Sequence, residues 1–410
     1  MMLILIGSLA SAQERKKEGA AKGYPGVDPR RVDDAIQKGM EFLKKAPSPS
    51  AHKGLPNSDE LILLAWVHGG LPQTDPAFRE PFERMLQSKM THTYKVALQA
   101  MILEEIDRVR YQDRIAQCGQ ALIDSQLKHG QWNYECSTEA VPGTPTLVPT
   151  KPVSSGGKGP SKATPDPKRG TPAEGARPKP PVVRTITITR SKFSSSDRGD
   201  DSNSQYAALG LRACHDAGIL IPQEVLELAR KWWETSQQGA PGGKTNDVAT
   251  GGPLPAPPRG WDYAKGGTSQ EKPFGSMTAG AVSALVIYDY MLKKDWKTDP
   301  SVQSGLSWLA EQFTVTTNPG KYPEWHYYYL YALERVGMLY NTWSIGSHDW
   351  YREGANYLLD AQKADGSWRA NSPFAGAGDG QTTWDTCFAI LFLKRATRTL
   401  DVASVDPFRK

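Results

Sequence analysis

A segment that joins a helical pattern to a glycine turn and a tryptophan recurs in this chain, and it constrains the fold more than any other feature. In its clearest copy, Tyr357 and Ala361 follow the spacing of one buried helix face, and Gln362 comes next. Gly366 predicts the end of the helix, because glycine readily adopts a left-handed backbone conformation. Trp368 is large enough to pack back on that helix. The pattern therefore predicts a helix that is tied to its neighbour by a glutamine and a tryptophan.

The same segment recurs earlier in the chain, once in full and twice in part. The full copy consists of Gln126, Gly130 and Trp132. One partial copy contains Ala229, Trp232, Trp233 and Gln237, with Gly260-Trp261 as a delayed second half, and a weaker one contains Gly305, Trp308 and Leu309. These copies predict a repeat of helical units in which the structural residues are Gln126, Gly130, Trp132, Gln362, Gly366 and Trp368.

The repeated segment resembles the QW motif of squalene cyclases, which is also seen in the wider family of terpenoid cyclases and protein prenyltransferases. In that family the glutamine caps a helix and stacks on the tryptophan, so that one helical hairpin is tied to the next. The resemblance covers residues 28–397 and implies a closed α/α toroid with a central cavity. Because the motif lies on the outside of such a toroid, it indicates the fold and leaves the chemistry open.

Apolar patterns and Asp-Pro helix starts predict six helical hairpins in an all-α protein. The first helices of the hairpins are amphipathic and span residues 28–45, 75–88, 108–127, 222–237, 299–313 and 347–362. The second helices are apolar on most faces and span residues 58–68, 92–106, 202–217, 277–293, 324–338 and 383–397. Helices of the second kind are typically buried on more than one side, so we expect an inner and an outer ring, with an open solenoid as the alternative.

The third hairpin is interrupted by residues 137–200, which are dense in Pro, Gly, Ser and Lys. We predict that this insert is disordered, except that the alternating residues 182–189 favour a short strand. The insert holds eleven Lys and Arg against five Asp and Glu, a net charge of +6 within a chain total of +5. It could therefore contact an acidic surface polymer, while the nearly neutral remainder gives no support for nucleic-acid binding.

The N-terminal residues suggest an exported protein. Residues 1–12 form a short apolar run that ends in Ala10-Ser11-Ala12, the small-x-small pattern of a signal-peptide cleavage site. Residues 13–27 are a polar leader, and residues 398–410 are a C-terminal tail. No other segment approaches the roughly 20 apolar residues of a membrane span. We therefore expect a secreted or periplasmic protein.

Metal and cofactor motifs are missing from the sequence. The four cysteines form no CxxC pair and the seven histidines form no HExxH motif, so we predict neither a metal site nor a cofactor. Cys214 and Cys387 fall on apolar helices and are predicted to be inert core thiols. Cys118 and Cys136 could pair in an exported protein, and their spacing leaves that question open.

Candidate site residues cluster at the predicted starts of the inner helices, which meet at one mouth of a toroid's cavity. As ligand-binding residues we predict His92, Tyr94, Asn203, Gln205, Glu324, Trp325, His326 and Trp384. As catalytic candidates we predict Asp200, Asp201 and Asp385, with Asp385 placed in the first turn behind a Thr383 cap. Helix dipoles at these starts also favour an anionic group. The alternative is that such residues, with Ser58, Thr91, Asp201 and Thr383 as examples, only cap their helices.

The family's known reactions set the alternatives for function. Cyclases of one class protonate an alkene with a DxDD motif, of which residues 197–201 keep only the doubled aspartate. Prenyltransferases hold zinc with Asp, Cys and His, and Asp385 stands at the place of that histidine. We therefore predict an atypical family member that binds a hydrophobic molecule or a glycan in its central cavity. The alternatives are an isoprenoid cyclase with a rearranged acid, or a glycan-active enzyme with paired carboxylates such as Glu324 and Asp385.

Overall fold

The computed structural model describes residues 24–46, 58–136, 183–188, 199–239, 256–263, 272–371 and 378–400, which fold into helices with almost no strand. This confirms the prediction of an all-α protein. The helices are α1 Pro29–Lys45, α2 Ser58–Gly69, α3 Pro76–Gln87, α4 Thr93–Asp107, α5 Gln112–Asp124, α6 Asp201–Asp216, α7 Gln223–Ser236, α8 Gly275–Met291, α9 Pro300–Glu311, α10 His326–Leu339, α11 Trp350–Ala361 and α12 Gly378–Lys394. The two strands are β1 Arg184–Thr185 and β2 Ile219–Leu220.

Aspartate caps set the starts of several helices. The side chain of Asp28 accepts a hydrogen bond from the Arg30 amide at 2.9 Å, and Asp75 accepts one from the Ala77 amide at 2.9 Å. In both helices a proline follows the cap, at a position where its missing N–H leaves no helical hydrogen bond unmade. Asp299 and Asp349 cap α9 and α11 by accepting a bond from the amide of the third helical residue, and a proline follows Asp299. The predicted helix starts at residues 28, 75 and 299 are confirmed. They could be predicted because a cap depends only on nearby residues.

Six helices form the most buried part of the molecule. Contacts run from α2 to α4, α6, α8, α10 and α12 in turn, and α12 contacts α2 again. The other helices pack against these six: α1 contacts α2 and α12, α3 contacts α2, α5 contacts α4 and α6, α7 and α9 contact α8, and α11 contacts α10 and α12. This division explains the two kinds of helix in the sequence, because apolar residues on most faces are needed where a helix has neighbours on most sides.

A Gln–Trp contact joins the end of α11 to α1. Gln362 donates from Nε2 to the carbonyl oxygen of Ala35 at 2.8 Å and to that of Gly366 at 3.0 Å. The indole nitrogen of Trp368 donates to the carbonyl of Leu358, four residues before the glutamine, at 2.8 Å. The indole is fully buried, so its N–H has a partner where an unpaired one would be costly.

The copy at residues 126–132 makes the same contacts between α5 and α7. Gln126 donates to the carbonyl of Val225 at 2.9 Å, and the Trp132 indole donates to the carbonyl of Leu122 at 2.7 Å. Gly130 has a φ of +104°, and a side chain there would lie 2.4 Å from a carbonyl oxygen of α7. Only glycine fits this turn without strain.

A third Gln–Trp contact joins α7 to α9. Gln237 donates to the carbonyl of Ser301 at 2.9 Å, and the Trp261 indole donates to that of Trp233 at 2.8 Å. Gly305 lies under this indole, since a Cβ there would be 3.0 Å from the Trp261 ring. Gly305, which belongs to the weaker partial copy at residues 305–309, therefore makes room for the tryptophan of the preceding copy.

Part of the predicted disordered insert is ordered. Residues 183–188 lie against α5 and α6, with β1 pairing in parallel with β2. Ile186 is buried, and Gln120 of α5 donates to the carbonyl of Thr187 at 2.9 Å. The order of residues 183–188 agrees with the short strand predicted for residues 182–189, which exists over two residues, whereas the prediction of disorder is wrong for residues 199–200. Several predicted segments lie outside the described residues: the rest of the insert, the predicted signal peptide, most of the leader and residues 401–410.

All four cysteines are buried free thiols. The pairing of Cys118 with Cys136, which the sequence leaves open, is therefore not formed. Burial raises the pKa of Cys118 to about 12 and that of Cys214 and Cys387 well above the usual range. Such thiols stay protonated and are poor nucleophiles, as predicted for the last two. In the described part of the chain, no helix has the length and apolarity needed to cross a membrane.

Candidate functional site

Five tyrosines from five segments meet beside the starts of the buried helices. This tyrosine cluster consists of Tyr94 at the start of α4, Tyr206 in α6, Tyr328 in α10, Tyr134 after α5 and Tyr263 before α8. The Tyr94 ring centroid lies 4.3 Å from that of Tyr206, and its hydroxyl lies 3.3 Å from that of Tyr328. The hydroxyls of Tyr134 and Tyr263 are 2.7 Å apart. The cluster is therefore continuous from the core to the surface.

Two tryptophans extend the tyrosine cluster along α10 and α12. The Trp325 ring lies 6.4 Å from Tyr328 and 6.0 Å from the Trp384 ring. Trp325 is 44% exposed and Tyr134 is 51% exposed, although large aromatic side chains are usually buried. Trp325 also has a φ of +57°, a left-handed conformation that is unfavourable for a bulky residue. Exposed rings on a strained backbone are a common feature of binding sites.

The tyrosine hydroxyls are suited to hydrogen bonding and unsuited to acting as bases. Burial raises the pKa of Tyr94 and Tyr328 well above the usual range, and the neighbouring tyrosines add to the effect. Burial likewise raises the pKa of Tyr134 and Tyr263. The phenols stay neutral at physiological pH, so each can donate one hydrogen bond and accept others.

A buried arginine lies under the tyrosine cluster. Arg335 of α10 donates from Nη2 to Oε1 of Gln205 at 2.6 Å. Its guanidinium carbon lies 4.5 Å from the centre of the Tyr331 ring and 5.6 Å from that of Tyr206. Gln205 packs flat against Gly280 of α8, where a Cβ would lie 2.4 Å from Oε1. The arginine therefore sits among three of the buried helices, α6, α8 and α10.

Asp200 is the N-cap of α6, a role that the sequence analysis gave to Asp201. Its Oδ1 accepts hydrogen bonds from the Asn203 amide at 2.8 Å and from Ser202 Oγ at 2.6 Å, and its Oδ2 accepts one from Asn203 Nδ2 at 2.9 Å. Burial raises the pKa of Asp200, while these hydrogen bonds act in the opposite direction. Both carboxylate oxygens are occupied within the protein, whereas the buried Oδ1 of Asn203 has no hydrogen-bond partner among the described residues.

Asp201 faces an outer helix. Its Oδ1 accepts hydrogen bonds from the Trp232 indole of α7 at 2.8 Å and from Gln131 Nε2 at 2.9 Å. Burial raises the pKa of Asp201 well above the usual range, so the carboxyl favours its neutral form. These contacts fix α6 against α7 and direct the carboxyl away from the tyrosine cluster.

Asp385 does not lie in the first turn of its helix. That prediction is wrong because α12 begins at Gly378, so Thr383 is not its cap. Asp385 Oδ2 accepts a hydrogen bond from the Ala370 amide at 2.8 Å, in the segment after α11. Burial raises the pKa of Asp385 to about 7.

His326 turns toward outer elements as well. Its Nε2 donates to the carbonyl of Val315 at 2.8 Å, and its ring lies 5.3 Å from that of Tyr357 in α11. Burial lowers the pKa of His326 to about 4, so the imidazole is neutral at physiological pH. His326 and Asp385 thus both have partners in the segments that surround the buried helices.

The predicted ligand-binding residues divide into two groups. The structure brings Tyr94, Trp325 and Trp384 into one aromatic surface, with Gln205 beneath it. His92 instead contacts Thr91 Oγ1 through Nδ1 at 2.9 Å, and Glu324 lies half-buried in the turn before α10. Sequence reasoning missed Tyr134 and Tyr263, which lie in connections without a periodic pattern. It also missed Arg335, because a single arginine in a helix is usually a surface residue.

A cavity with an empty volume of about 480 Å³, partly open to solvent, lies at the opposite ends of the buried helices. Its walls combine apolar residues such as Leu64 and Tyr331 with charged residues. Arg212 lies 3.3 Å from Asp216, and Arg398 forms an ion pair with Glu105 across the cavity wall. The charges are paired with one another, so this end of the molecule shows no excess of one sign.

Within the described residues, no group of three or more His, Cys, Asp or Glu side chains could hold a metal ion. Neither a protein-family model nor a curated protein matches this chain.

Proposed function

We propose that the six buried helices form the inner ring of a closed α/α toroid that resembles the squalene-cyclase and prenyltransferase fold. Two observations support this arrangement. Contacts lead from α2 through the other five helices back to α2, and three Gln–Trp contacts link successive outer helices. In an open solenoid the first and last repeats would have no contact.

The ligand of this toroid is a glycan, bound at the tyrosine cluster. The observation that carries the proposal is the combination of partly exposed aromatic faces with hydroxyls that bond to one another, as in the pair Tyr134 and Tyr263. Aromatic faces stack on sugar rings, and the hydroxyls can exchange their mutual hydrogen bonds for bonds to the sugar. A hydrocarbon ligand would instead leave those phenols unpaired, which is unfavourable. The polar surface thus favours the glycan over a purely hydrophobic ligand.

Binding without turnover is the better supported form of this proposal. Each predicted catalytic acid already accepts hydrogen bonds within the protein: Asp200 from its own helix start, Asp201 from Trp232, and Asp385 from the Ala370 amide. Asp200 is linked to the tyrosine cluster through Ser202, whose Oγ donates to Asp200 Oδ1 at 2.6 Å and lies 3.2 Å from the Tyr263 hydroxyl, so its carboxyl group is one side chain removed from the cluster. The proposal includes export, which rests on the sequence of residues 1–12 alone.

Titration with oligosaccharides, followed by tryptophan fluorescence, tests the proposal. Trp325→Ala should weaken binding about tenfold or more, because aromatic contacts at the centre of a site contribute most of the affinity. Trp343→Ala is the matched control, since Trp343 is similarly exposed at 38% and lies beyond the other end of α10. Equal saccharide affinity of the two variants would refute the assignment of the site. Binding of a prenyl alcohol with no response to any saccharide would favour the hydrophobic ligand.

A further inference from the structure

Among the described residues, Arg335 is a buried cation that forms no ion pair with an acid. Its side chain has no solvent exposure, Nη2 donates to Gln205, and the hydroxyls of Tyr206 and Tyr331 also interact with the guanidinium. Among the described residues, neither Nε nor Nη1 has an acceptor in hydrogen-bonding geometry. The neighbouring acid does not pair with it, because Glu334 accepts hydrogen bonds from the backbone amide of Thr397 at 2.9 Å and from its hydroxyl at 2.7 Å.

The surroundings of Arg335 offset only part of the cost of burying its charge. The rings of Tyr331 and Tyr206 provide cation–π contacts, and their hydroxyls lie close to the guanidinium. The free-energy cost of removing a charge from water is nevertheless much larger than the stabilisation that two cation–π contacts provide. Gly280 leaves the space that Gln205 needs in order to accept from Nη2, so the position of the guanidinium is fixed by three helices.

A partly buried arginine of the same chain shows the usual solution. Arg230 in α7 forms ion pairs with Asp289, Asp299 and Glu234, and the first two of these acids are themselves buried. Its charge is therefore balanced within the protein. Arg335 is more deeply buried than Arg230 and has no acid in ion-pair contact among the described residues, which is typical of a charged group whose partner is a ligand.

We propose that Arg335 binds an oxyanion group of the ligand, a carboxylate or a sulfate, so that the glycan is an acidic one. This inference rests on the proposed function, because the glycan is placed at the tyrosine cluster directly above the guanidinium. Tyr206 and Tyr328 stand between Arg335 and the exposed edge of the cluster. Rotation of a tyrosine side chain opens the way, and the anionic group then accepts the hydrogen bonds that Nε and Nη1 have available.

The first experiment measures melting temperature in sulfate and in chloride at equal ionic strength. In the wild type, sulfate should raise the melting temperature about 2–4 °C more than it does in Arg335→Met, because an anion bound only by the native state stabilises it. Arg395→Met is the matched control. Arg395 also lies over two tyrosine rings, at 4.6 Å from Tyr351 and 5.4 Å from Tyr24, but it reaches solvent. It should keep the full sulfate response.

An equal sulfate response in all three proteins would overturn the proposal and leave Arg335 as a packing residue. If Arg335→Met does not fold, Arg335→Lys takes its place, since lysine keeps the charge and loses the planar set of donors. The expected result is then a sulfate response that is at least halved, and an unchanged response overturns the proposal. Inorganic sulfate needs no sugar, so this experiment can succeed even if the glycan proposal fails.

A second experiment distinguishes the source of the anion. Fragments of polygalacturonate, of a sulfated galactan and of a neutral glucan are titrated against the wild type and Arg335→Met. The wild type should bind one of the acidic fragments at least tenfold more tightly than the neutral one, and the variant should lose that preference while retaining the neutral affinity. If the wild type shows no preference for either acidic fragment, the inference is wrong even where the glycan proposal holds.

Discussion

At the scale of single residues, buried carboxyl groups decide how this protein responds to pH. Asp385, Glu334 and Glu60 are all buried, and burial raises the pKa of each of them to about 7. Each therefore holds a proton more tightly in the native state than in the unfolded state. Such groups contribute stability below their unfolded pKa and lose that contribution as the pH rises through the folded pKa.

Asp385→Asn isolates this effect at one position. The unfolded pKa of an aspartate is about 3.9, and burial raises that of Asp385 to about 7 in the native state. The stability of the wild type relative to the variant should therefore fall between about pH 4 and pH 7, by at most about 4 kcal/mol at about 1.4 kcal/mol per pH unit. Urea unfolding across this range measures the difference.

Asp365→Asn serves as the comparison with the opposite sign. Hydrogen bonds from the Ser367 amide and hydroxyl lower the pKa of Asp365, so its contribution is lost as the pH falls. A pH-independent difference between the wild type and Asp385→Asn would show that this carboxyl is not shifted as described.

The misplacement of Asp385 shows where sequence reasoning fails at this scale. Gly378 and Gly380 lower the intrinsic helix propensity of the segment before Thr383, so a sequence reader places the helix start after them. In the folded protein α12 nevertheless begins at Gly378. The caps Asp28 and Asp75 were predictable, since a cap depends only on residues within one turn.

At the scale of helices, close packing between neighbours depends on glycine. A Cβ at Gly210 of α6 would lie 2.8 Å from the Cα of Ala97 in α4, so the two backbones approach as closely as glycine permits. One of the three Gln–Trp contacts uses the same device, because Gly305 makes room for Trp261. The sequence predicted the existence of the helices because their periodicity is local, whereas these approaches depend on which helices become neighbours.

Gly210→Ala should destabilise the protein by about 1–3 kcal/mol, since the new methyl group meets backbone that cannot easily move. The loss should appear despite the higher helix propensity of alanine. Gly119→Ala in α5 is the control, because its Cβ would lie 3.2 Å from the side chains of Cys214 and Ile186, which can shift. Chemical denaturation compares the two variants, and equal effects would contradict the close approach of α4 and α6.

At the scale of the whole molecule, the insert has two parts. Residues 183–188 pack against the helices, and residues 137–180 lie outside the described residues. Deleting residues 137–180 should leave the melting temperature within a few degrees, as expected of a segment with little apolar content. Deleting residues 137–188 should lower it much further, because that deletion also removes β1 and the buried side chain of Ile186. Thermal unfolding of the two deletions gives the comparison, and equal melting temperatures would show that residues 183–188 contribute nothing.

The arrangement of the helices around one another was accessible from the sequence only through resemblance. Periodicity indicates which face of a helix is buried and does not indicate which helix covers it. The contact between α12 and α2 joins segments from opposite ends of the described chain, and no local pattern encodes it. For the same reason the sequence did not predict the whole tyrosine cluster. Tyr134 and Tyr263 lie in connections whose position depends on the finished fold.

The contacts between α11 and the segment around α1 also have a consequence for synthesis. Tyr24 donates a hydrogen bond to Asp349 at 2.9 Å, Asn356 donates to the Gly26 carbonyl at 3.1 Å, and Gln362 donates to α1. Each bond joins residues more than 320 positions apart. A ribosome adds residues at about 5–20 per second, so tens of seconds pass between the synthesis of α1 and the synthesis of its last partner. During that interval its apolar face toward α12 is uncovered, and a nascent chain of this protein is a natural client for chaperones.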